Sequence, residues 1–313
     1  MKENNNQRNE KLLIVGGTGF IGESIAKEAL KCSFNVTIIS KNKYPLNKQL
    51  KGIRYFSLDI TNKVLLLSTL NNVAFNYVIN VSGYVDHTNY FNGGNEVLKV
   101  HFDGTVNLIN CINQSQLRKF IQIGSSDEYG NGVSPQNEDQ RELPISPYSF
   151  AKTASTQFLQ MLHRTEGFPV VIIRPFLVYG PGQNTKRFIP QIITGCINNE
   201  EFAVSKGLQL RDFCYITDFV RAIFLTLPNQ KINGSIINIA SGRPVMIKEV
   251  INKIASLIGS GNPKFGEIAY RNGENMKLYA DIRKAKVILG WQPKVNLESG
   301  LIKTIKWMKA LSP

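Results

Sequence analysis

Eight residues near the start constrain this chain more than any others. Val15-Gly16-Gly17-Thr18-Gly19-Phe20-Ile21-Gly22 comes directly after a short apolar run, Leu12 to Val15, and opens a stretch of helical spacing, Ile21 to Leu30. In that context the glycines have separate tasks. Gly16 permits a tight turn, Gly19 lets backbone approach a pyrophosphate, and Gly22 lets the helix pack closely on the strand. The helix start then offers unpaired N–H groups and a partial positive charge to phosphates. The segment therefore predicts a dinucleotide cradle, with Gly16, Gly19, Phe20, Ile21 and Gly22 as its contacts. A connection that is glycine-rich by accident is the competing reading, and the spacing and position tell against it.

The strand–helix rhythm of the turn repeats down the chain. Strands are predicted at Asn35 to Ser40, Gly52 to Leu58, Tyr77 to Val81, Phe120 to Ile123 and Val170 to Arg174. Helical periodicity covers Val97 to Ile112 and Pro147 to Arg164. Such alternation implies an α/β fold, a doubly wound parallel sheet with helices on both faces. After Arg174 the pattern breaks at Pro175, Gly180, Pro181 and Gly182. Helices are expected at Phe188 to Asn198, Val245 to Ile258 and Leu297 to Met308, with a strand at Ser235 to Ile239. This divides the chain into a disordered tail (1–10), a dinucleotide-binding domain (11–174 with 206–241) and a smaller C-terminal substrate-binding lobe (175–205 with 242–313).

Composition narrows the function classes. The 313 residues exceed what one hydrophobic core usually serves. The net charge is +14, but the basic residues are scattered and no nucleic-acid signature is present, so no nucleic-acid partner is expected. No apolar run reaches membrane-spanning length, and Met1 to Glu10 carries no apolar signal core, so a cytoplasmic protein without membrane contact is expected. Cys32, Cys111, Cys196 and Cys214 lie far apart in apolar-patterned segments and read as buried free thiols. His87, His101 and His163 show no ligand spacing, so no metal is expected.

The end of the second strand bears on which dinucleotide binds. A carboxylate there would hold the adenosine ribose and favour NAD. Instead the chain reads Ile39-Ser40-Lys41-Asn42-Lys43. Ser40 can bond a 2′-phosphate, and Lys41 or Lys43 can pair with its charge. NADP is expected over NAD, with NAD as the alternative.

Tyr148-Ser149-Phe150-Ala151-Lys152 puts two ionisable groups one helical turn apart on one face. A tyrosine hydroxyl titrates near about 10 in isolation, and an adjacent ammonium favours its phenolate. The phenol can then exchange a proton with an alcohol or ketone near neutral pH. The lysine can also hold the nicotinamide ribose. Upstream, Ile123-Gly124-Ser125-Ser126-Asp127-Glu128-Tyr129-Gly130 stands just past a strand, where ligands of open parallel sheets bind. A serine there can bond a substrate oxygen beside the tyrosine.

With these landmarks in order the chain resembles the extended short-chain dehydrogenase/reductases, the NAD-dependent epimerases and dehydratases that act on sugar nucleotides. Further landmarks are Asp59-Ile60, Val78 to Gly83, Arg174-Pro175-Phe176 through Tyr179 to Gly182, Arg211-Asp212-Phe213 with Tyr215 and Asp218, Asp281, and Leu289 to Pro293. The resemblance implies that Tyr148 is the acid/base, Lys152 its partner and Ser125 the catalytic serine, five residues before Gly130. It implies that Asp59 and Ile60 touch the adenine and that Ser82 and Gly83 line the cofactor. Ser126, Arg187 and Arg211 become substrate contacts, with Arg211 on the pyrophosphate. It also implies a homodimer packed through 97–112 and 147–164.

Two departures from the family pattern stand out. His101 occupies the place where the family usually has an asparagine before Gly104-Thr105. The acidic pair that marks the dTDP-glucose dehydratases is out of register, with Ser126 in its first position. The Ser-Ser-Asp-Glu-Tyr-Gly form resembles reductases of nucleotide-linked 4-keto-6-deoxyhexoses. The expected activity is thus NADPH-dependent reduction of such a 4-keto sugar in deoxysugar and polysaccharide synthesis. A 4-epimerase or dehydratase with retained cofactor is the alternative. A non-catalytic dinucleotide sensor is a third reading, opposed by intact Tyr148, Lys152 and Ser125.

Overall fold

The computed structural model describes residues 10–270 and 274–311. The expected tail lies outside the described residues except for Glu10, which pairs with Arg118. Contacts divide the chain into two units. The first comprises 1–130, 142–174 and 222–237, and the second 131–141, 175–221 and 238–313.

The first unit is built on apolar, β-branched segments. Its strands are β1 (Lys11–Val15), β2 (Asn35–Ser40), β3 (Arg54–Ser57), β4 (Tyr77–Asn80), β5 (Lys119–Ile123) and β6 (Val170–Pro175). Their pairings are all parallel. With strand Ile236–Ile239 the sheet has seven strands, in the order Ile236–Ile239, β6, β5, β4, β1, β2, β3. All five residues of β5 are buried, and so are the last four of β1, as strands covered on both faces require. Strand order reverses at β1, whose neighbours are β2 and β4, so a crevice opens at its carboxyl end.

Helices Phe20–Lys31, Lys63–Leu70 and Pro147–Glu166 flank the sheet. Lys63–Leu70 escapes periodicity in the sequence because its outer face is itself apolar: Val64, Leu65 and Leu67 are exposed. The expected single helix from 97 to 112 is α-helical at Asn95–Leu98 and Gly104–Cys111 but forms a π-turn over Lys99–Asp103. The long helix is capped at both ends: Ser146 accepts from the Ser149 N–H, Pro147 stands at the first turn, and Gly167 closes the helix in the left-handed region.

In the second unit, helices Phe188–Ile197, Ile247–Ile258 and Leu297–Lys309 accompany short strand pairs. Val245 and Met246, expected as helix, form a strand on Leu210–Arg211, and the helix starts at Ile247. Leu177–Tyr179 pairs with Phe213–Tyr215, and Glu201–Val204 with Asn262–Phe265. These pairings explain why 206–221, expected in the nucleotide-binding domain, groups with the second unit. Buried carboxylates tie this unit together. Asp212 accepts from the N–H groups of Ser241 and Gly242 at 2.7 and 2.9 Å. Asp218 accepts from those of Lys294 and Val295, and its carbonyl takes the indole N–H of buried Trp291. Several family landmarks are therefore fastenings of the fold.

No helix among the described residues is long and apolar enough to cross a membrane. All four cysteines are free thiols; Cys111, Cys196 and Cys214 are buried and Cys32 is half-buried.

Candidate active site

The glycine turn is held by backbone alone. Gly16 has φ +83°, and a Cβ on it would stand 2.7 Å from the Ser82 Cα. A Cβ on Gly22 would stand 2.4 Å from the Gly16 carbonyl oxygen, so only glycine lets the helix approach. On Gly19 a Cβ would meet nothing nearer than 3.5 Å, which leaves that face open. No side chain caps the helix at Gly19, so its first-turn N–H groups are left for a ligand. These features fit the pyrophosphate of a nicotinamide dinucleotide.

The segment after β2 is less open than its sequence suggests. Lys41 is ion-paired with Asp59 at 2.9 Å, and the Ser40 hydroxyl donates to the Asn42 carbonyl. Burial works to raise the Asp59 carboxyl, but bonds from Thr61 and Lys41 together hold it below its ordinary value. Ile60 is buried. The Ser82 hydroxyl and N–H both donate to the Asn80 side-chain oxygen. The Asn80 amide in turn reaches Gln122 at 2.9 Å. That chain of bonds fixes the ends of β4 and β5 to each other and sets the loop carrying Ser82 and Gly83.

Tyr148 and Lys152 are both buried, one turn apart on the long helix. The Lys152 ammonium donates to the Ile123 carbonyl at 2.8 Å, at the end of β5. Burial pushes it down to about 8, although Glu128 acts in the other direction. Ser125 caps a short turn, Ser126–Tyr129, with its hydroxyl oxygen accepting from the Asp127 N–H. Its own N–H donates to Glu128 at 2.8 Å. Ser126 is buried in the same turn. Lys152 thus fastens the Tyr148 helix to the carboxyl end of β5, two residues before Ser125.

Two histidines and an ion pair also adjoin this junction, and the sequence does not place the histidines there. Two histidine rings stand edge-on to Tyr148, His101 at 5.1 Å and His87 at 5.6 Å between centroids. Beneath the serine turn, Glu128 and Arg174 form a fully buried ion pair at 2.7 Å, joined by Thr156 and Glu142. Burial alone would lower the Arg174 guanidinium, but Glu128 and its other partners raise it above the ordinary value. A signal for this pair is present in the sequence. Arg174 ends an otherwise apolar buried strand, and a charge in that place demands a carboxylate.

In the second unit, Arg187 is exposed at the start of helix Phe188–Ile197. Arg211 is ion-paired with Glu274. Among the described residues no group of three or more His, Cys, Asp or Glu is gathered to hold a metal.

A glycine cradle at the sheet's switch point and a tyrosine–lysine helix beside it define an extended short-chain dehydrogenase/reductase. The chain belongs to the NAD dependent epimerase/dehydratase family, whose model matches residues 12–240. It is 26% identical over 312 residues to UDP-glucuronate 4-epimerase of Thermodesulfobacterium geofontis, covering 95% of each chain. It is 27% identical over 316 residues to dTDP-D-glucose 4,6-dehydratase of Homo sapiens, covering 96% of this chain and 90% of that one. The solved UDP-glucuronic acid 4-epimerase from Bacillus cereus, in complex with UDP-glucuronic acid and NAD, is 26% identical with a TM-score of 0.87. It is covered over 99% of its length and this chain over 96%.

Proposed function

We propose that this chain interconverts alcohol and ketone at C4 of a nucleotide-linked hexose and ends each cycle with its dinucleotide unchanged, as a 4-epimerase does. The observation that carries this reading is the buried Lys152 ammonium one turn from buried Tyr148, with Ser125 at the end of the adjoining strand. When bound, a nicotinamide dinucleotide supplies reversible hydride transfer at that carbon. The proton work falls to the chain. Tyr148 takes the hydroxyl proton as the ketone forms and gives it back on return. Lys152, held in a low-dielectric setting, favours the phenolate. The Ser125 hydroxyl accepts from Asp127, which leaves its own hydrogen to donate to the sugar oxygen.

Gly16, Gly19, Phe20, Ile21 and Gly22 would hold the pyrophosphate, Asp59 and Ile60 the adenine end, Ser82 and Gly83 the nicotinamide end, and Lys152 the nicotinamide ribose. Ser126 and Arg187 would contact the sugar nucleotide. Arg211 would have to leave Glu274 to do so. Loss of water from the sugar would require a further acid and base, and Glu128 is committed to Arg174 and Thr156. Asp127 lies 3.6 Å from His87 beside Tyr148, and dehydration would need that pair as its acid and base.

Net reduction of a 4-keto-6-deoxyhexose by NADPH is the second reading. Ser40, Lys41 and Lys43 favour it, since β2 ends without a carboxylate. A 2′-phosphate would take Lys41 from Asp59. The two readings separate in one experiment. Purified protein without added dinucleotide is incubated with UDP-, dTDP-, GDP- and CDP-hexoses, and products are read by mass spectrometry and NMR. A parallel set adds NADPH and the matching 4-keto sugars. Epimerisation at C4 with no net cofactor use supports the first reading. Consumption of NADPH only with 4-keto sugars supports the second. Tyr148→Phe should lower turnover about 10²–10⁴-fold in either case, and unchanged turnover sinks both.

A further inference from the structure

Proton transfer through Tyr148, Lys152 and Ser125 makes no use of His101, yet the fold goes to some length to aim that ring. His101 lies in the π-turn Lys99–Asp103. Such wide turns are rare and are frequent at functional sites. Here the His101 carbonyl oxygen accepts the Thr105 hydroxyl at 2.7 Å and shares the Ser155 hydroxyl, 2.9 Å away, with the Ala151 carbonyl at 2.8 Å. Ser155 lies on the helix that carries Tyr148 and Lys152, one turn past the lysine. The backbone of the π-turn is thus fastened to the tyrosine helix.

The ring is fastened as well. It is buried, and its plane stands at 81° to that of Tyr148. Its Nε2 lies 2.8 Å from the Tyr84 carbonyl oxygen. A carbonyl only accepts, so Nε2 carries the hydrogen. Gly83 makes the room, since a Cβ there would stand 2.0 Å from the ring Cε1. One side chain therefore touches the catalytic tyrosine and the loop next to Ser82 and Gly83.

We propose that His101 is a positioning residue: an uncharged donor that fills the space beside Tyr148 and holds the Ser82–Tyr84 loop against it. Burial, and after it the nearby Lys152 charge, push the imidazole down to about 3, so it is neutral at any working pH. A second cation here would oppose Lys152. A neutral ring instead keeps water from the ammonium and preserves its influence on the phenol.

This role rests on Tyr148 as the acid/base, and the test keeps the two apart. Kinetics are measured on whichever nucleotide hexose the wild type converts. His101→Gln keeps an uncharged donor for Tyr84 and should stay within about fivefold of wild-type kcat. His101→Ala loses ring and donor. Misplacement of this kind costs up to about 10²-fold in kcat, with KM for the sugar nucleotide changed less than about threefold. Water entering the space weakens the coupling of Lys152 to the phenol, so the acid limb of kcat moves up by about 0.5–1 pH unit. Equal losses in both variants with an unmoved pH profile would overturn the proposal, as would an unaffected His101→Ala. If the alanine variant does not fold, His101→Phe decides. A loss of kcat with Phe and not with Gln supports the proposal, and the reverse refutes it. Should Tyr148→Phe keep full turnover, the reading of the reaction fails first.

Discussion

The glycine turn and the Tyr148 junction sit at the carboxyl ends of β1 and β5, strands of one sheet separated by β4, yet they are built by opposite means. The turn is contiguous, Gly16 to Gly22, and works through backbone: an open helix start and atoms a Cβ would displace. The junction draws on residues from 84 to 174 and works through side chains, several of them charged and buried. A contiguous backbone site is fixed once strand and helix form. A dispersed site of buried charges exists only when the whole sheet is assembled, and it stays in place only while every partner is present.

That contrast can be broken most forcefully beneath Ser125. Arg174→Met leaves Glu128 charged and buried without its main partner, which should cost about 3–5 kcal/mol in denaturant unfolding. Adding Glu128→Gln should recover part of that loss. If the single variant is as stable as wild type, the junction does not depend on its charge network.

A smaller effect should appear with pH. The His101 ring titrates at 6.5 when unperturbed and near about 3 in the fold. Between those values the unfolded chain binds more protons, so stability falls as pH falls. From pH 7 to pH 4 the loss from this residue is about 3 kcal/mol. Unfolding curves of wild type and His101→Gln across that range should converge toward the acid end. Parallel curves would mean that the ring is not held neutral by its burial.

The turn should respond least in stability and most in binding. In Gly22→Ala the new methyl meets the Gly16 carbonyl at 2.4 Å, and backbone must shift. The expected stability cost is about 1–3 kcal/mol, with dinucleotide affinity down at least about tenfold by fluorescence titration. A larger loss of stability than in Arg174→Met would invert the comparison.

Legibility in the sequence divides along the same line. β1 to β6, the long helix and the glycine turn are legible because each depends on local periodicity and turn chemistry. Strands of two or three residues, such as Leu210–Arg211 and Lys277–Leu278, carry no period and leave no such mark. Lys41 looks available for a phosphate, but Asp59 lies across the sheet edge, beyond any local window.

By itself the sequence determined the parallel sheet, the cradle from Gly16 to Gly22, and the pairing of Tyr148 with Lys152, because glycine spacing and one helical turn place those atoms wherever the chain goes. Tertiary structure alone decided that Lys152 is buried on the Ile123 carbonyl, that Glu128 answers Arg174, and that a π-turn lays His101 against Tyr148. Those are matters of burial and of contacts between distant segments, and burial is what keeps His101 uncharged and weakens the hold of Lys152 on its proton.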